Sequence, residues 1–374
     1  MDAIEELEAR IAQHPAGRYP VQNATASFHL GGLLADAGRG AEAVAALARS
    51  ADLFGQADLR EERAKALNAL GAALRVSGRE AEAATAFGEA ASGFGDLGLA
   101  LEQGAALHNL GLVSREPDRF REARSRFAAG GELRHEAAAL RELGSVLLER
   151  GELDEAEAAL TEAVGLAERA GDLAGLGSAA NTLGLAQLAL GHLDEAASSF
   201  RSSAGAHGRG VRPADHAMAK ANLALARERL GDERRARLAA RQALAVPAAP
   251  EPVRAQARAL LERLPDEAGD LAHVLADEPE ENRLPVAREE LVRWSEASPE
   301  ERRREAEAWV AGAGPELAEP LLGALLELPP DAMAAIAADL SACADERFRK
   351  AFERASARYP VPQLLRLQES FGWS

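Results

Sequence analysis

Six copies of one spaced pattern run through the first two-thirds of this 374-residue chain, and they restrict its fold more than any other feature. Leu-Gly pairs fall at Leu30-Gly31, Leu70-Gly71, Leu110-Gly111, Leu143-Gly144 and Leu183-Gly184, with Leu223-Ala224 as a sixth, degenerate copy. The steps between them are 40, 40, 33, 40 and 40 residues. Seven residues beyond the small residue stands a second glycine, at Gly38, Gly78, Gly151, Gly191 and Gly231, with Asp118 in the third copy. Twelve residues beyond it stands alanine in all six copies: Ala43, Ala83, Ala123, Ala156, Ala196 and Ala236. Sixteen residues beyond it stands a large apolar residue in five, at Leu47, Phe87, Phe127, Leu160 and Phe200.

This spacing predicts a helical hairpin. The first small residue lets helix A approach helix B closely. The second glycine ends helix A, because it takes the left-handed conformation at no steric cost. The alanine of helix B faces back into the tight contact, and the Phe or Leu one turn later fills the gap beyond it. Such a unit cannot bury its apolar face alone, so units stack into a solenoid. The 33-residue step lacks seven residues, close to two helical turns, so helices can shorten without rotating their buried faces. The gap is expected late in helix B of the third unit, near Ala129-Gly130-Gly131, with a tighter bend there.

The pattern resembles the tetratricopeptide repeat over residues 22–245. Its period is similar to the long-repeat subgroup typified by kinesin light chain, the Pins-type proteins and actinobacterial regulators, as are the phrases FGDLGLALEQGAALHNLG (94–111) and AGDLAGLGSAANTLG (170–184). The resemblance implies an all-α fold: a right-handed superhelical solenoid of about six helical hairpins, followed here by a small C-terminal helical bundle.

Three segments are expected. Residues 1–264 form the array, capped by helices at 2–13 and 251–264. Residues 265–284 form an acidic linker interrupted by prolines, with seven acids against one arginine and one helical turn expected around Leu271–Leu275. Residues 285–374 hold all three tryptophans and resemble no family. Helices are expected there at about 286–296, 298–311, 315–328, 331–344, 346–358 and 361–371. Ser298-Pro299-Glu300-Glu301 combines an N-cap, a proline at the first helical position and acids in the first turn.

The net charge of −17 argues against nucleic acid as a partner, because neutralising phosphates needs a basic surface. No apolar run of the length that spans a bilayer stands out, and the acidic start MDAIEELEAR is unlike a secretory signal, so a cytoplasmic protein is expected. Cys343 is the only cysteine, which excludes an intrachain disulfide and a thiolate zinc site. His135-Glu136 opens a zinc-helix pattern that Ala139 breaks, and Gly175, Gly177 and Ala180 match a dinucleotide fingerprint with no strand before it. No catalytic residue, cofactor or metal is therefore expected, and no enzymatic activity.

In the resembled family helix A lines a concave groove that holds another protein or peptide. Carried over to this chain, the groove residues are Lys65, Asn68, Arg75, His108, Asn109, Arg115, Arg141, Asn181, Leu185, Leu188 and Asn222. The cations among them suit an acidic segment. The asparagines have two readings: they pair with the backbone of a bound peptide, as the resemblance implies, or they bond across neighbouring A helices. Two functions stay open, a binding scaffold and a peptide-gated bacterial regulator whose C-terminal bundle is the output; an enzyme of unrecognised type ranks below both. The oligomeric state is left open.

Overall fold

The computed structural model describes residues 3–265 and 267–372; Trp373 lies outside them. All regular structure among these residues is helical. Residue contacts divide the chain into two compact units, 1–186 and 187–374. The first unit opens with α1 (Ala3–Gln13) and continues as hairpins: α2 (Pro20–Asp36) with α3 (Gly40–Gln56), α4 (Arg60–Val76) with α5 (Glu80–Asp96), α6 (Ala100–Ser114) with α7 (Pro117–Gly130), and α8 (Leu133–Arg150) with α9 (Leu153–Arg169). Helix α10 (Leu173–Leu190) follows. The fold is thus an all-α solenoid of paired helical hairpins with a distinct C-terminal helical region.

The Leu-Gly glycines do what their spacing predicts. A Cβ built on Gly31 would lie 2.5 Å from Leu47 Cγ, and one on Gly71 would lie 2.7 Å from the Phe87 ring. Gly144 meets Leu160 in the same way. Each large residue is thus seated where helix A has no side chain, and Leu47, Phe87 and Leu160 are all buried. At the far end of helix A, Gly38 and Gly78 take φ of 74° and 73°, which turns the chain into helix B.

The third unit departs from the expectation. Gly111 meets Phe120, not Phe127, at 2.8 Å from an added Cβ. Phe120 follows its glycine by nine residues where Phe87 follows by sixteen, so the seven missing residues lie between helices A and B. The gap is at that turn and not near Gly130. Helices α6 and α7 have 15 and 14 residues against 17 each for α4 and α5. Arg115, at φ 55°, replaces the usual glycine, and Pro117 opens α7 two residues later. Phe127 holds the place of Phe94, seven residues beyond the seated ring, and both join one apolar cluster.

Helix α1 packs on the first hairpin. Its Ile4, Leu7 and Ile11 lie against Leu30 and Leu34, and the buried Asn23 Nδ2 donates to the carbonyls of Ile11 (3.3 Å) and His14 (2.7 Å). Helix α10 corrects the reading that no apolar run is long enough for a membrane. Its 18 residues carry no charge, have a mean hydropathy of 1.2 and could span one by length and composition alone. It also holds Ala179, Leu183 and Ala186, which belong to an apolar cluster with Leu140, Leu147 and Leu160.

The second unit contains α11 (Leu193–His207), α12 (Pro213–Arg229), α13 (Glu233–Leu244) and α14 (Glu251–Arg263). It continues with α15 (Asp270–Asp277), α16 (Glu280–Glu296), α17 (Pro299–Gly312), a 3-10 turn at Pro315–Leu317, α18 (Ala318–Leu326), α19 (Pro330–Cys343), α20 (Glu346–Ser356) and α21 (Val361–Phe371). Helix α14 covers the last repeat: its Gln256 Nε2 donates to Ala221 O at 3.2 Å. The expected C-terminal helices form, and the Ser298 hydroxyl accepts from Glu301 N at 3.2 Å. The acidic stretch 265–284 is largely helical, as α15 and the first turn of α16. Leu271 and Leu275 from it enter the core that holds Trp294 and Trp309.

Some of its acids are bound as well, Asp270 most closely. Arg237 of α13 donates to Asp270 at 2.7 and 3.0 Å, and the two residues are 1% and 2% exposed. Arg241 spans Asp270 (3.3 Å) and Glu305 (3.2 Å), while Arg293 reaches Glu290 (2.7 Å), Glu301 (2.6 Å) and Glu305 (3.0 Å). Burial works against the Arg293 charge, but Glu290 and Glu305 raise its pKa overall, so the guanidinium stays ionised. The network ties α13 to α15, α16 and α17.

Two stability predictions follow from these contacts. Gly71→Ala should destabilise by about 1–3 kcal/mol, because the seated ring must move. Gly88→Ala, where an added Cβ meets nothing within 4 Å, should stabilise by about 0.5–1 kcal/mol. Urea denaturation of both variants checks the opposite signs. Arg293→Met strands two buried carboxylates and should cost about 3–5 kcal/mol. Hydrogen exchange should then accelerate in residues 187–372 first; uniform acceleration along the chain would contradict this.

Candidate partner-binding surface

The first helices of successive repeats neighbour one another, and the side chains they do not spend on helix B form the candidate surface. On α4, Lys65, Asn68, Ala69, Ala72, Arg75 and Val76 recur at spacings that share one face. On α2, the matching residues are Phe28, His29, Gly32, Leu33 and Asp36. Where these two helices face each other, small residues leave room. Two adjoining cavities of about 370 and 300 Å³ share Gly32, Asp36, Leu47 and Ala69 as walls. An added Cβ on Gly32 would meet nothing within 4 Å, and Val76 at the rim is 79% exposed.

The expected groove residues divide into groups. Lys65, Asn68 and Arg75 lie on α4, His108 and Asn109 on α6, Arg141 on α8, and Asn181 and Leu185 on α10. Leu188 and Asn222 lie in the second unit. Asn109 Nδ2 donates to Asn68 Oδ1 at 3.2 Å, so these two side chains bond across adjacent A helices. Asn222 accepts from Gln256 Nε2 at 3.3 Å and is 9% exposed. Leu185 is half-buried, whereas Leu188 is only 7% exposed and belongs to the interior.

The cations are mostly neutralised. Lys65 Nζ lies 2.5 Å from Glu61, one helical turn away, and Arg141 lies 2.7 Å from Glu142. Arg115 is the left-handed C-cap of α6 rather than a residue of its last turn, because α6 is shortened. Its guanidinium pairs with Glu149, and Arg150 Nη2 donates to its carbonyl at 2.9 Å. Arg75 is different: it is exposed and has no ion pair among the described residues.

His108 does not act as a cation. Burial, reinforced by the charge of Arg141 and by His135, lowers its pKa to about 4. Its ring stands edge-on to Phe120 with centroids 5.6 Å apart, and Nδ1 is buried with no hydrogen-bond partner among the described residues. Among these residues no three His, Cys, Asp or Glu side chains are placed to hold a metal ion. Cys343 is a half-buried free thiol.

The apolar hollow was missed by sequence reasoning, although the signal was present. Gly32 and Ala72 stand one residue past the Leu-Gly glycine and Val76 five past it, both groove positions in the resembled register. Attention to charge passed over them because small residues announce themselves only through the space they leave.

Comparison with known proteins agrees with the hairpin geometry. A family model described as tetratricopeptide repeat matches residues 135–205, so the chain contains a tetratricopeptide-like repeat region. Among solved structures, BtubC (BKLC) from P. vanneervenii is similar at 17% identity, over 70% of this chain and 94% of that chain, with a TM-score of 0.44. A putative kinesin light chain from Podosopora anserina with nearly identical TPR-like repeats is similar at 16% identity, over 65% of this chain and 97% of that chain, with a TM-score of 0.32. These loose superpositions bear on neither subgroup nor partner. No curated protein matches the chain.

The His108 environment makes stability depend on pH. The unfolded imidazole takes a proton below about pH 6.5, which the folded ring refuses until about pH 4. Stability is therefore lost as pH falls through that window, by at most ~3 kcal/mol from this residue, and no further below it. Urea denaturation at pH 7 and 4.5 should show a steeper loss in the wild type than in His108→Leu. Equal losses would mean that the ring titrates as in water.

Proposed function

We propose that the chain is an interaction scaffold that holds a segment of another polypeptide against the first helices of its opening repeats. The observation that carries this reading is the open apolar hollow between α2 and α4, bordered by the unpaired Arg75. A hairpin array normally spends its apolar residues on its own core. Here Leu33 and Val76 border space, as do the outer sides of Phe28, Ala69 and Ala72, which also pack on the core, with His29 and Asp36 as polar walls. A segment suited to it carries a large apolar side chain with an Asp or Glu close by. The lining then supplies desolvation, and Arg75 supplies a charge-assisted hydrogen bond.

Asn68 and Asn109 take a structural part in this reading, since each already serves the other. Arg115 and Arg141, held by carboxylates, contribute less than their charge suggests. The family match supports the scaffold reading through the repeat fold.

The second reading is a peptide-gated regulator with residues 285–374 as the output. The network joining Arg237 and Arg241 of the last repeat to Asp270 and Glu305 favours it. A rigid ionic weld there would pass a change in the repeat directly to the C-terminal helices.

Display of random peptides against the intact chain tests the scaffold. Selected sequences should pair a large apolar residue with an acid. Their affinity should fall by about tenfold or more with Arg75→Glu and with Val76→Asp, as loss of a charge-assisted contact implies. Asn68→Ala should lower the melting temperature and leave affinity per folded molecule intact. Peptides that bind the wild type and both groove variants equally would overturn the assignment.

A further inference from the structure

A second cavity lies away from the expected groove. It lies wholly in the second unit, between α11, α12 and α13 on one side and α15 and α16 on the other, with a volume of about 530 Å³. That size is ordinary for a small-molecule site. Its walls are aliphatic: Leu223, Leu238, Val274, Val286 and Val292. No Phe, Tyr or Trp among the described residues lines it, so these offer no platform for stacking a base or an aromatic ring.

The charges around it are unequal. Among the described residues two acids line the cavity, Glu278 and Glu289, and both are engaged. Glu278 receives Arg235 at 3.0 Å. Glu289 receives Lys220 at 2.5 Å and faces His216 Nε2 at 3.2 Å, while His216 Nδ1 donates to Ala204 O at 2.9 Å. No lining carboxylate is left to take a cation. Arg209 and Arg288 are likewise paired, with Glu296 and Glu327.

Two cations are left over. Arg201 is exposed at the cavity and has no ion pair among the described residues. Arg227 is partly buried, and its nearest acid is Asp232 at 3.6 Å, which also serves Arg235 at 3.0 Å. Burial, and then the charges of Arg201 and Arg235, depress the Arg227 pKa, the mark of a guanidinium short of counter-charge. An anion placed against Arg227 and Arg201 would relieve that shortage, and a guanidinium binds a carboxylate through two parallel hydrogen bonds.

We propose that this cavity is a ligand site for an amphiphilic carboxylate: an aliphatic body among Leu223, Leu238, Val274, Val286 and Val292, with its single anionic head against Arg227 and Arg201. Two sources share that chemistry, a free fatty acid and a peptide that ends in an aliphatic residue. The site is independent of the groove in the first unit, and either assignment can fail alone.

Isothermal titration calorimetry on the full chain separates the outcomes. The probes are decanoate below its micellar concentration, decanol, and a short peptide ending in leucine with its carboxylate free or amidated. At least one acid should bind at one site per chain in the micromolar range, with its uncharged counterpart at least about tenfold weaker. Binding by decanoate alone assigns the fatty acid, and binding by the free peptide alone assigns the chain terminus. Arg227→Met should weaken the bound acid by about tenfold or more, as loss of a bidentate pair implies. The exposed Arg201→Met reads the same head group if the first variant folds poorly, and Val286→Trp should block the cavity while leaving the circular dichroism spectrum unchanged. The proposal is overturned if neither acid binds. It is also overturned if acid and uncharged counterpart bind alike, or if the folded arginine variants bind as the wild type does.

Discussion

The repeat array rests on one steric condition: a helix can lie against its hairpin partner only where one of them gives up its side chain. Gly31, Gly71, Gly111 and Gly144 provide that vacancy, and Leu47, Phe87, Phe120 and Leu160 fill it. The consequence is directional. Once the ring or leucine is seated, the remaining faces of both helices are fixed in azimuth, so the apolar residues left on them must meet the next hairpin. Stacking then follows without further instruction, since an unstacked hairpin leaves those residues in water.

That condition also explains what could be read from the sequence. Glycine spacing reports backbone geometry, so the hairpins were legible, and the helices at Ala3–Gln13 and Glu251–Arg263 and most C-terminal helix positions could be read from local pattern. The third unit was misread because counting from Gly111 finds Phe127 at the regular distance, while the structure seats Phe120. Two phenylalanines seven residues apart lie on the same helical face, and a count cannot choose between them. The acidic stretch 265–284 was read from its charge and prolines, but Leu271 and Leu275 decide its fate by finding an apolar core. The candidate surface was half legible. Register selects one face of each first helix, yet charge alone could not show that Lys65 and Arg141 have carboxylate partners, that His108 is neutral or that Leu188 is buried. Those facts depend on neighbours from other parts of the chain.

The two units use charge differently. Along the first, ion pairs such as Arg63 with Glu89 and Arg121 with Glu155 lie in solvent, each 2.8 Å long, and such pairs contribute little. In the second, Arg237, Asp270, Glu290, Arg293 and Glu305 are nearly stripped of water. Their desolvation is offset only when every partner is in place, so the network tolerates one arrangement of α13, α15, α16 and α17 and penalises all others.

The contraction of the third unit has a consequence for how the array can be read from outside. At the turn that joins them, α6 ends two residues and α7 begins four residues short of the neighbouring pair. At 1.5 Å per residue, the edge formed by these turns is set back there by about 3–6 Å. A strictly periodic edge looks the same after every step, and a molecule lying along it could shift by one hairpin and find equivalent contacts. The recess breaks that translational degeneracy. It gives the edge an origin from which position can be measured, and it stands where Arg115, Glu149 and Arg150 already bridge one hairpin to the next.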